Sequence, residues 1–220
     1  MTVAVEHHGS AAELHALPPP DRPELWTLRP AAPALVMGSA QRADQFDQSG
    51  LAAAGIDLAE RRTGGGAVYI EPSGVAWVDV LAPRGSAFWD DDLAATFLRV
   101  GACWQRALVD LGVDAELVVD SPDRSDHARL ACWAGLGWGE ITLDGVKIVG
   151  LSQRRTRWGA RVQAMAVLDG SADRVVDWFG SHVDPAVLRE IREVIGSHPL
   201  PIDPRTLERA VIATLLDHAL

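Results

Sequence analysis

At Asp90 the spacing of apolar residues along the chain changes, and that change settles the fold class. Before it, apolar residues come in short runs bounded by glycine and proline. "PALVMG" (Pro33–Gly38) reads as a short buried strand ended by glycine, and "GAVYIEPSGVAWVDVLAP" (Gly66–Pro83) as two strands around the turn Glu71-Pro72-Ser73-Gly74. After it, Leu93, Phe97, Val100, Trp104, Leu108 and Leu111 recur at spacings of three and four, one stripe of a long amphipathic helix. Asp90, Asp91 and Asp92 stand at its start, where carboxylates complement the helix dipole, and Gly112 follows its end. Strands then return in "AELVVD", in "WGEITLDGVKIVGLSQRR" and in "ARVQAMAVLDG", with "SPDRSDHAR" (Ser121–Arg129) as a polar loop between the first two. Helices beginning near Ser171, Pro185 and Thr206 close the chain. This order gives an α+β domain: a mixed, mostly antiparallel β-sheet, one long central helix and a short helical C-terminal tail.

The length of 220 residues suits one such domain. We expect a lead-in over residues 1–25, stiffened by the prolines of "PPPDRPELW". A catalytic domain over 26–180 follows, and the tail over 181–220 packs on the same domain. The net charge of −10 argues against a nucleic-acid partner, whose proteins carry a basic footprint, although a local basic site for a small anion remains open. No apolar run approaches the ~20 residues that cross a bilayer, and the N-terminus lacks the pattern of a secretion signal, so no membrane partner and a cytoplasmic location are expected. Two cysteines make no disulfide framework, and the seven histidines show no metal-ligand spacing, so no metal site in the protein is expected.

Two stretches carry chemistry. In "LAERRTGGGAVYI" (Leu58–Ile70), Arg61 and Arg62 precede three consecutive glycines, Gly64, Gly65 and Gly66, and Ala67 opens a strand. A phosphate loop of the Lys-Ser/Thr type and a dinucleotide-binding loop are both excluded, because Ala67-Val68 follows the glycines and the chain continues as strand. Bare backbone N–H groups beside guanidinium forks suit a carboxylate or phosphate; a flexible turn on a solvated strand edge is the bland alternative. In "LDGVKIVGLSQRRTRWG" (Leu143–Gly159), Asp144-Gly145 reads as a two-residue hairpin turn that sets Leu143 opposite Val146 and Thr142 opposite Lys147. Ile141, Leu143, Val146 and Ile148 then share the core face. Lys147 takes the other, with Trp138, Glu140, Thr142, Val149 and Leu151 near it. That face is either a half-covered surface with a Lys147–Glu140 pair, or a cleft in which Lys147 meets developing negative charge.

With both stretches in place, the chain resembles the lipoate-protein ligase A family, within the superfamily of biotin and lipoate ligases and octanoyltransferases. "ALVMG", "RRTGGGAVYIEPSG" and "DGVKIVGLSQRR" carry the resemblance over roughly Ala34 to Leu168. It implies helices against one face of the sheet and an acyl site on the other. It also implies ATP and Mg²⁺, formation of an acyl-adenylate from lipoate or a related acid, and transfer to a lysine of a lipoyl-domain acceptor. Lys147 matches the central catalytic lysine, and its replacement by alanine is expected to abolish adenylate formation with the fold intact. Arg61, Arg62, Gly64, Gly65, Gly66 and Ala67 match the segment lining the acyl and adenylate pocket, with the glycines letting the backbone lie against the ligand. Gly150, Gln153 and Arg154 match the residues trailing the lysine.

The chain also departs from the family. "WGARVQAMAVL" stands where a His-Gly-Ser segment is usual, the N-terminal helix is cut to "SAAELHALPPP", and little chain is left after Asp169 for an accessory domain. A separate accessory subunit is one implication. Two rival readings therefore accompany the ATP-dependent ligase. Cys132, fifteen positions before Lys147, lies near where one branch of the superfamily keeps a nucleophile that takes octanoate from a carrier-protein thioester, with Lys147 lowering the thiol pKa. The lost segment suits instead a non-catalytic binder of an acyl or biotin-like ligand. Cys103, in the long helix, reads as core.

Overall fold

The computed structural model describes residues 2–123 and 125–219. The chain opens with strand β1 (Val3–Gly9), helix α1 (Ala11–Ala16) and strand β2 (Glu24–Pro30), and β1 pairs with β2 in parallel. The expected lead-in thus holds an edge strand and a short helix. Ser10 and Glu13 start that helix with a reciprocal capping box. Next come β3 (Ala34–Met37), α2 (Gln48–Ala53), β4 (Asp57–Glu60) and β5 (Val68–Ile70). These three strands form a small sheet in the order β4-β3-β5. The chain then crosses at Glu71–Gly74 into β6 (Val75–Pro83) of a different sheet, so the two strands read around that turn do not pair with each other.

The long helix α3 (Leu93–Asp110) is capped by the Asp92 side chain and ends before Gly112, which takes φ 85°. Only Glu116–Leu117 of "AELVVD" forms strand, β7. The polar loop winds into a short helix, α4 (Asp126–Leu130), because Ser125 caps it through the Ala128 amide. Strands β8 (Ile141–Leu143), β9 (Val146–Arg155) and β10 (Gly159–Val167) follow. The chain closes with a 3₁₀ segment (Ser171–Trp178), α5 (Pro185–Ile195) and α6 (Pro204–His218), the two helices opening on Asp-Pro pairs.

Among the described residues the large sheet has seven strands, ordered β1-β2-β6-β10-β9-β8-β7 and antiparallel except for β1–β2. Both faces are covered, which is why β6 is apolar at every position but one. Its residues alternate between two cores. Ala76, Val78, Val80 and Ala82 join Trp104 and Leu108 of α3 and Leu207 and Val211 of α6. Val75, Trp77 and Leu81 join the small sheet's Val36, Val68 and Ile70, together with Ile191 of α5. Asp79 is the one charged residue of β6, and it is fully buried on the small-sheet side.

Candidate functional site

The cleft lies between the two sheets, and a bulge decides which residues face it. Thr142 pairs with Lys147 and Leu143 with Val146, as the Asp144-Gly145 turn requires, with φ of 51° and 77° at its two positions. Ile141 then pairs with Val149 instead of Ile148. Cross-strand partners share a face, so Lys147 and Val149, two positions apart, lie on opposite faces. Lys147 shares its side with Gly150, Ser152 and Arg154. Val149 and Leu151 join the core under α3, contrary to the simple alternation. Gln153 goes with them: it shares a face with Arg155, which donates to the Asp91 and Asp92 carbonyls and to Thr96 at the start of α3. The register therefore takes Gln153 out of the cleft.

Facing strands complete a grid. Gly150, Met165 and Trp77 form one row, Ser152, Gln163 and Asp79 the next, and Arg154, Arg161 and Leu81 the third. Above the first two rows runs a mostly apolar slot, roofed by Val36, Val68 and Ile70. At the β9 end it meets a polar pocket containing Lys147, Glu140, Gly64 and Gly65, the two sharing Arg61, Cys132, Leu151 and Ser152. On the third-row side it meets a cleft lined by Arg62, Thr63, Arg154 and Arg161, the two sharing His15 and Gln163.

Lys147 is buried, its side chain only 3% exposed. Its ammonium lies 2.7 Å from Glu140 Oε1 and donates to the carbonyls of Cys132 at 2.9 Å and Gly135 at 3.1 Å. Those three acceptors match its three protons. The half-covered surface pair is thereby excluded. Burial pushes the Glu140 carboxyl above its ordinary range, while Lys147 and the Leu151 N–H pull against that rise. Gly150 is the floor of this nest: a Cβ there would stand 3.2 Å from Lys147 Cε.

The three glycines are needed for three different reasons. Gly64 has open space where a Cβ would point and is the one that faces the polar pocket without obstruction. Gly65 has φ 97°, and a Cβ would come within 2.7 Å of the Arg61 guanidinium. Gly66 lies against backbone, where a Cβ would meet Ala131 N at 2.5 Å. Ala67 is fully buried; its N–H donates to Leu130 O and its carbonyl accepts from Cys132 N. Gly66 and Ala67 therefore fasten the loop to the Leu130–Cys132 segment and line neither the slot nor the polar pocket. Arg61 is buried as well: it donates to Gly66 O at 2.7 Å, and its Nε has no partner among the described residues. Arg62 and Arg154 are exposed in the arginine cleft.

A buried network beside the slot escaped the sequence. Arg161 Nε donates to Asp79 Oδ2 at 2.7 Å, and its remaining N–H groups cap α1 by donating to the carbonyls of Leu14, His15 and Leu17. Trp77 Nε1 donates to Asp79 Oδ1 at 2.7 Å. Arg161 is thus committed internally, although it lines the arginine cleft. Burial pushes the Asp79 carboxyl up, against the pull of Arg161. His15 is pushed down to about 3, first by burial and then by the charges of Arg161 and Arg61. The available signal was a lone charge in each of two apolar strands, Asp79 in "VAWVDVLAP" and Arg161 in "GARVQAMAV".

With this geometry in hand, comparison with known proteins is decisive at the family level. The profile of the lipoyl protein ligase A/B catalytic domain matches residues 11–202. The chain belongs to that family. No curated protein matches its sequence. Among solved structures it is similar to lipoate-protein ligase A bound with ATP, at 20% identity and TM-score 0.69, covering 99% of this chain and 84% of that one. It is also similar to a bi-partite lipoate protein ligase studied with its E2 lipoyl domain from Thermoplasma acidophilum, at 21% identity and TM-score 0.68, over 99% and 82%. A further structure from T. acidophilum, with bound lipoic acid, matches at 21% identity and TM-score 0.68 over 97% and 82%. These likenesses establish a lipoyl ligase fold for this chain.

Within that family frame, Cys132 occupies a notable place. It heads a 3₁₀ turn (Cys132–Ala134), lines both the slot and the polar pocket, and puts its Sγ 3.9 Å from Lys147 Nζ. Cys103 is buried in the other core, and burial pushes its thiol up to about 11. Both cysteines are unpaired. No group of three or more His, Cys, Asp or Glu side chains gathers as a metal site among the described residues, and no described helix is long and apolar enough to cross a membrane.

Proposed function

We propose that this member of the family activates a lipoate-like carboxylic acid with ATP and passes the acyl group to a lysine of an acceptor domain. The observation that carries the reading is the position of Lys147, buried where an apolar slot opens into a polar pocket flanked by arginines. An acid lying in the slot brings its carboxylate to that junction. The carboxylate oxygen attacks the α-phosphorus of ATP and pyrophosphate leaves. The acceptor amine then attacks the acyl carbon, AMP leaves and the amine loses a proton. Lys147 serves both steps by facing the negative charge between acyl and phosphate, exchanging one of its carbonyl acceptors for the ligand in a site where charge is weakly screened.

Arg62 and Arg154 are the uncommitted cations for the phosphates, and Gly64 leaves room for them to lie against the loop. The orphaned Nε of buried Arg61 fits an anionic acceptor arriving from the shared border of slot and pocket. Mg²⁺ takes most of its ligands from phosphate and water, so it asks little of the chain; Asp123, lining the polar pocket, is the carboxylate we assign to it. The reading includes a cytoplasmic setting and a lipoyl-type acceptor. It also includes a separate accessory subunit. Support for the last comes from the likeness to a ligase described as bi-partite.

ATP–pyrophosphate exchange over a panel of carboxylic acids tests activation, and transfer to a lipoyl domain with and without a candidate second subunit tests the rest. Exchange with no acid would overturn the reading. A second reading has one observation in its favour, the Lys147–Cys132 contact: Cys132 as thiolate attacks a carrier thioester, the carrier thiol leaves with a proton, and the acyl group resides on sulfur.

A further inference from the structure

The slot has a polar feature at the end away from Lys147, and its protonation is fixed by the network behind it. Gln163 Nε2 lies 2.9 Å from His15 Nδ1, and Gln163 stands directly opposite Asp79 across the β10–β6 pair, where it helps to hold the Asp79 carboxyl down. A buried carboxylate paired with Arg161 is an acceptor, so the Gln163 –NH₂ end must point toward it. The second proton of that –NH₂ then points at His15 Nδ1, which must accept. The ring proton of the neutral imidazole is left on Nε2. His15 stacks on Trp77 with ring centroids 4.9 Å apart, and both side chains line the slot.

From Gly150, beside Lys147, to Trp77 the slot crosses from β9 over β10 to β6, two strand spacings or about 10 Å. That is the length of a medium-chain acid. Its other lining residues near the far end, Ile70, Met165 and Trp77, supply apolar contact.

Building on the ligase reading, we infer that His15, held by Gln163 and Asp79, is a specificity residue. It offers one neutral N–H donor to the distal end of the acyl chain, so the preferred substrate is a medium-chain carboxylic acid carrying an oxygen acceptor at that end. A plain alkyl tail offers that donor no partner, so the site gains less from it than from an acid that carries an oxygen there. A dithiolane lies between the two, because sulfur is a weak acceptor.

Two measurements keep this inference separate from the ligase reading. Calorimetric binding of octanoate, lipoate and 8-hydroxyoctanoate to the full chain without ATP tests the donor alone; pyrophosphate exchange tests activation alone. The expected result is at least tenfold tighter binding of 8-hydroxyoctanoate than of octanoate. His15→Phe should bring that ratio near one, and His15→Gln, which restores a donor, should recover part of it. In ¹⁵N spectra the wild-type ring should show the Nε2–H tautomer, with its Nε2 signal moving on addition of 8-hydroxyoctanoate and not of octanoate. Equal affinities in the wild type, an unchanged ratio in His15→Phe, an Nδ1–H tautomer, or binding of none of the acids would each overturn the inference. Binding with the expected ratio but no exchange would retire the ligase reading and leave the donor standing.

Discussion

Lys147 cannot be removed without consequence for the fold, and the size of that consequence is a direct test of the nest. Its side chain is 3% exposed and that of Glu140 7%, and their charged atoms are 2.7 Å apart. Taking away one member of such a pair leaves a buried charge unmatched, which costs about 3–5 kcal/mol, whereas replacing both by neutral groups of similar shape is close to neutral. We therefore expect Lys147→Met to lower stability by about 3–5 kcal/mol, on the order of 10 °C in Tm for a chain of this size. The double change Lys147→Met with Glu140→Gln should return to within about 1 kcal/mol of wild type.

The pH dependence carries a sign. Without Lys147, burial acts on Glu140 with only backbone hydrogen bonds such as that from the Leu151 N–H against it, so its folded-state pKa rises further above the unfolded value near 4.5. The folded variant then holds a proton that the unfolded chain has lost, and its stability falls as pH rises from that value through the raised one. The deficit against wild type should be smaller near about pH 5 than near about pH 8. Denaturant unfolding of wild type, single and double variants at both pH values reads this, and pyrophosphate exchange on the stable double variant reads catalysis. A single variant as stable as wild type would refute the buried-pair argument. A double variant that still forms adenylate would refute the assignment of Lys147. By the same geometry, Lys147→Ala should cost stability as well as adenylate formation.

Three further outcomes follow from the cleft. Gly64→Val should leave Tm nearly unchanged and raise the KM for ATP or acid, whereas Gly66→Ala should destabilise by about 1–3 kcal/mol or more, since its Cβ would overlap the Ala131 backbone; similar effects in both would sink the division of roles among the glycines. Cys132→Ser should cost about 1 kcal/mol in unfolding experiments and keep adenylate formation. A hydroxylamine-sensitive octanoyl adduct after incubation with octanoyl-carrier protein, seen by intact mass in wild type and not in Cys132→Ser, would favour the thioester route instead. Asp79→Ala should lower stability by about 3–5 kcal/mol, because Arg161 would keep its buried position without its carboxylate; equilibrium unfolding indistinguishable from wild type would refute that.

The parts of this molecule legible in the sequence are those governed by local periodicity and turn chemistry. The long helix and the Asp144-Gly145 turn appear as read, because helix spacing and a two-residue loop leave few alternatives, although Leu93 and Leu111 at the two ends of the stripe are exposed. The pairing of strands was less accessible. Nothing local in "GAVYIEPSGVAWV" says that its two strands enter different sheets, since that depends on which distant strands compete for each edge. Lys147 was found by its motif and by its face. Val149 and Leu151 were set on the face of Lys147 because a bulge is set by tertiary pairing and is invisible to an alternation count; Gln153, matched through the family motif, follows them to the other face. Gly66 and Ala67 were assigned to a ligand when the Leu130–Cys132 segment claims them. His15 and Gln163, far apart in the chain, meet only through the fold.

The bulge between Lys147 and Val149 also governs how this site can change over generations. A bulge is a whole residue; it is present or absent, with no intermediate. Ordinary substitutions along β9 alter side chains while leaving each position pointing where it did, so the lysine stays in the cleft through considerable sequence drift. A one-residue deletion at Ile148 would only remove the bulge and leave every facing as it is, whereas one at Leu151, in the regular part of the strand, is a different kind of event. It would reverse the facing of the segment on one side of the deletion relative to the other, carrying Lys147 and Gly150 into the packed core or Ser152 and Arg154 out of the cleft together. The segment from Val149 to Arg155 should therefore accept many substitutions and almost no change in length.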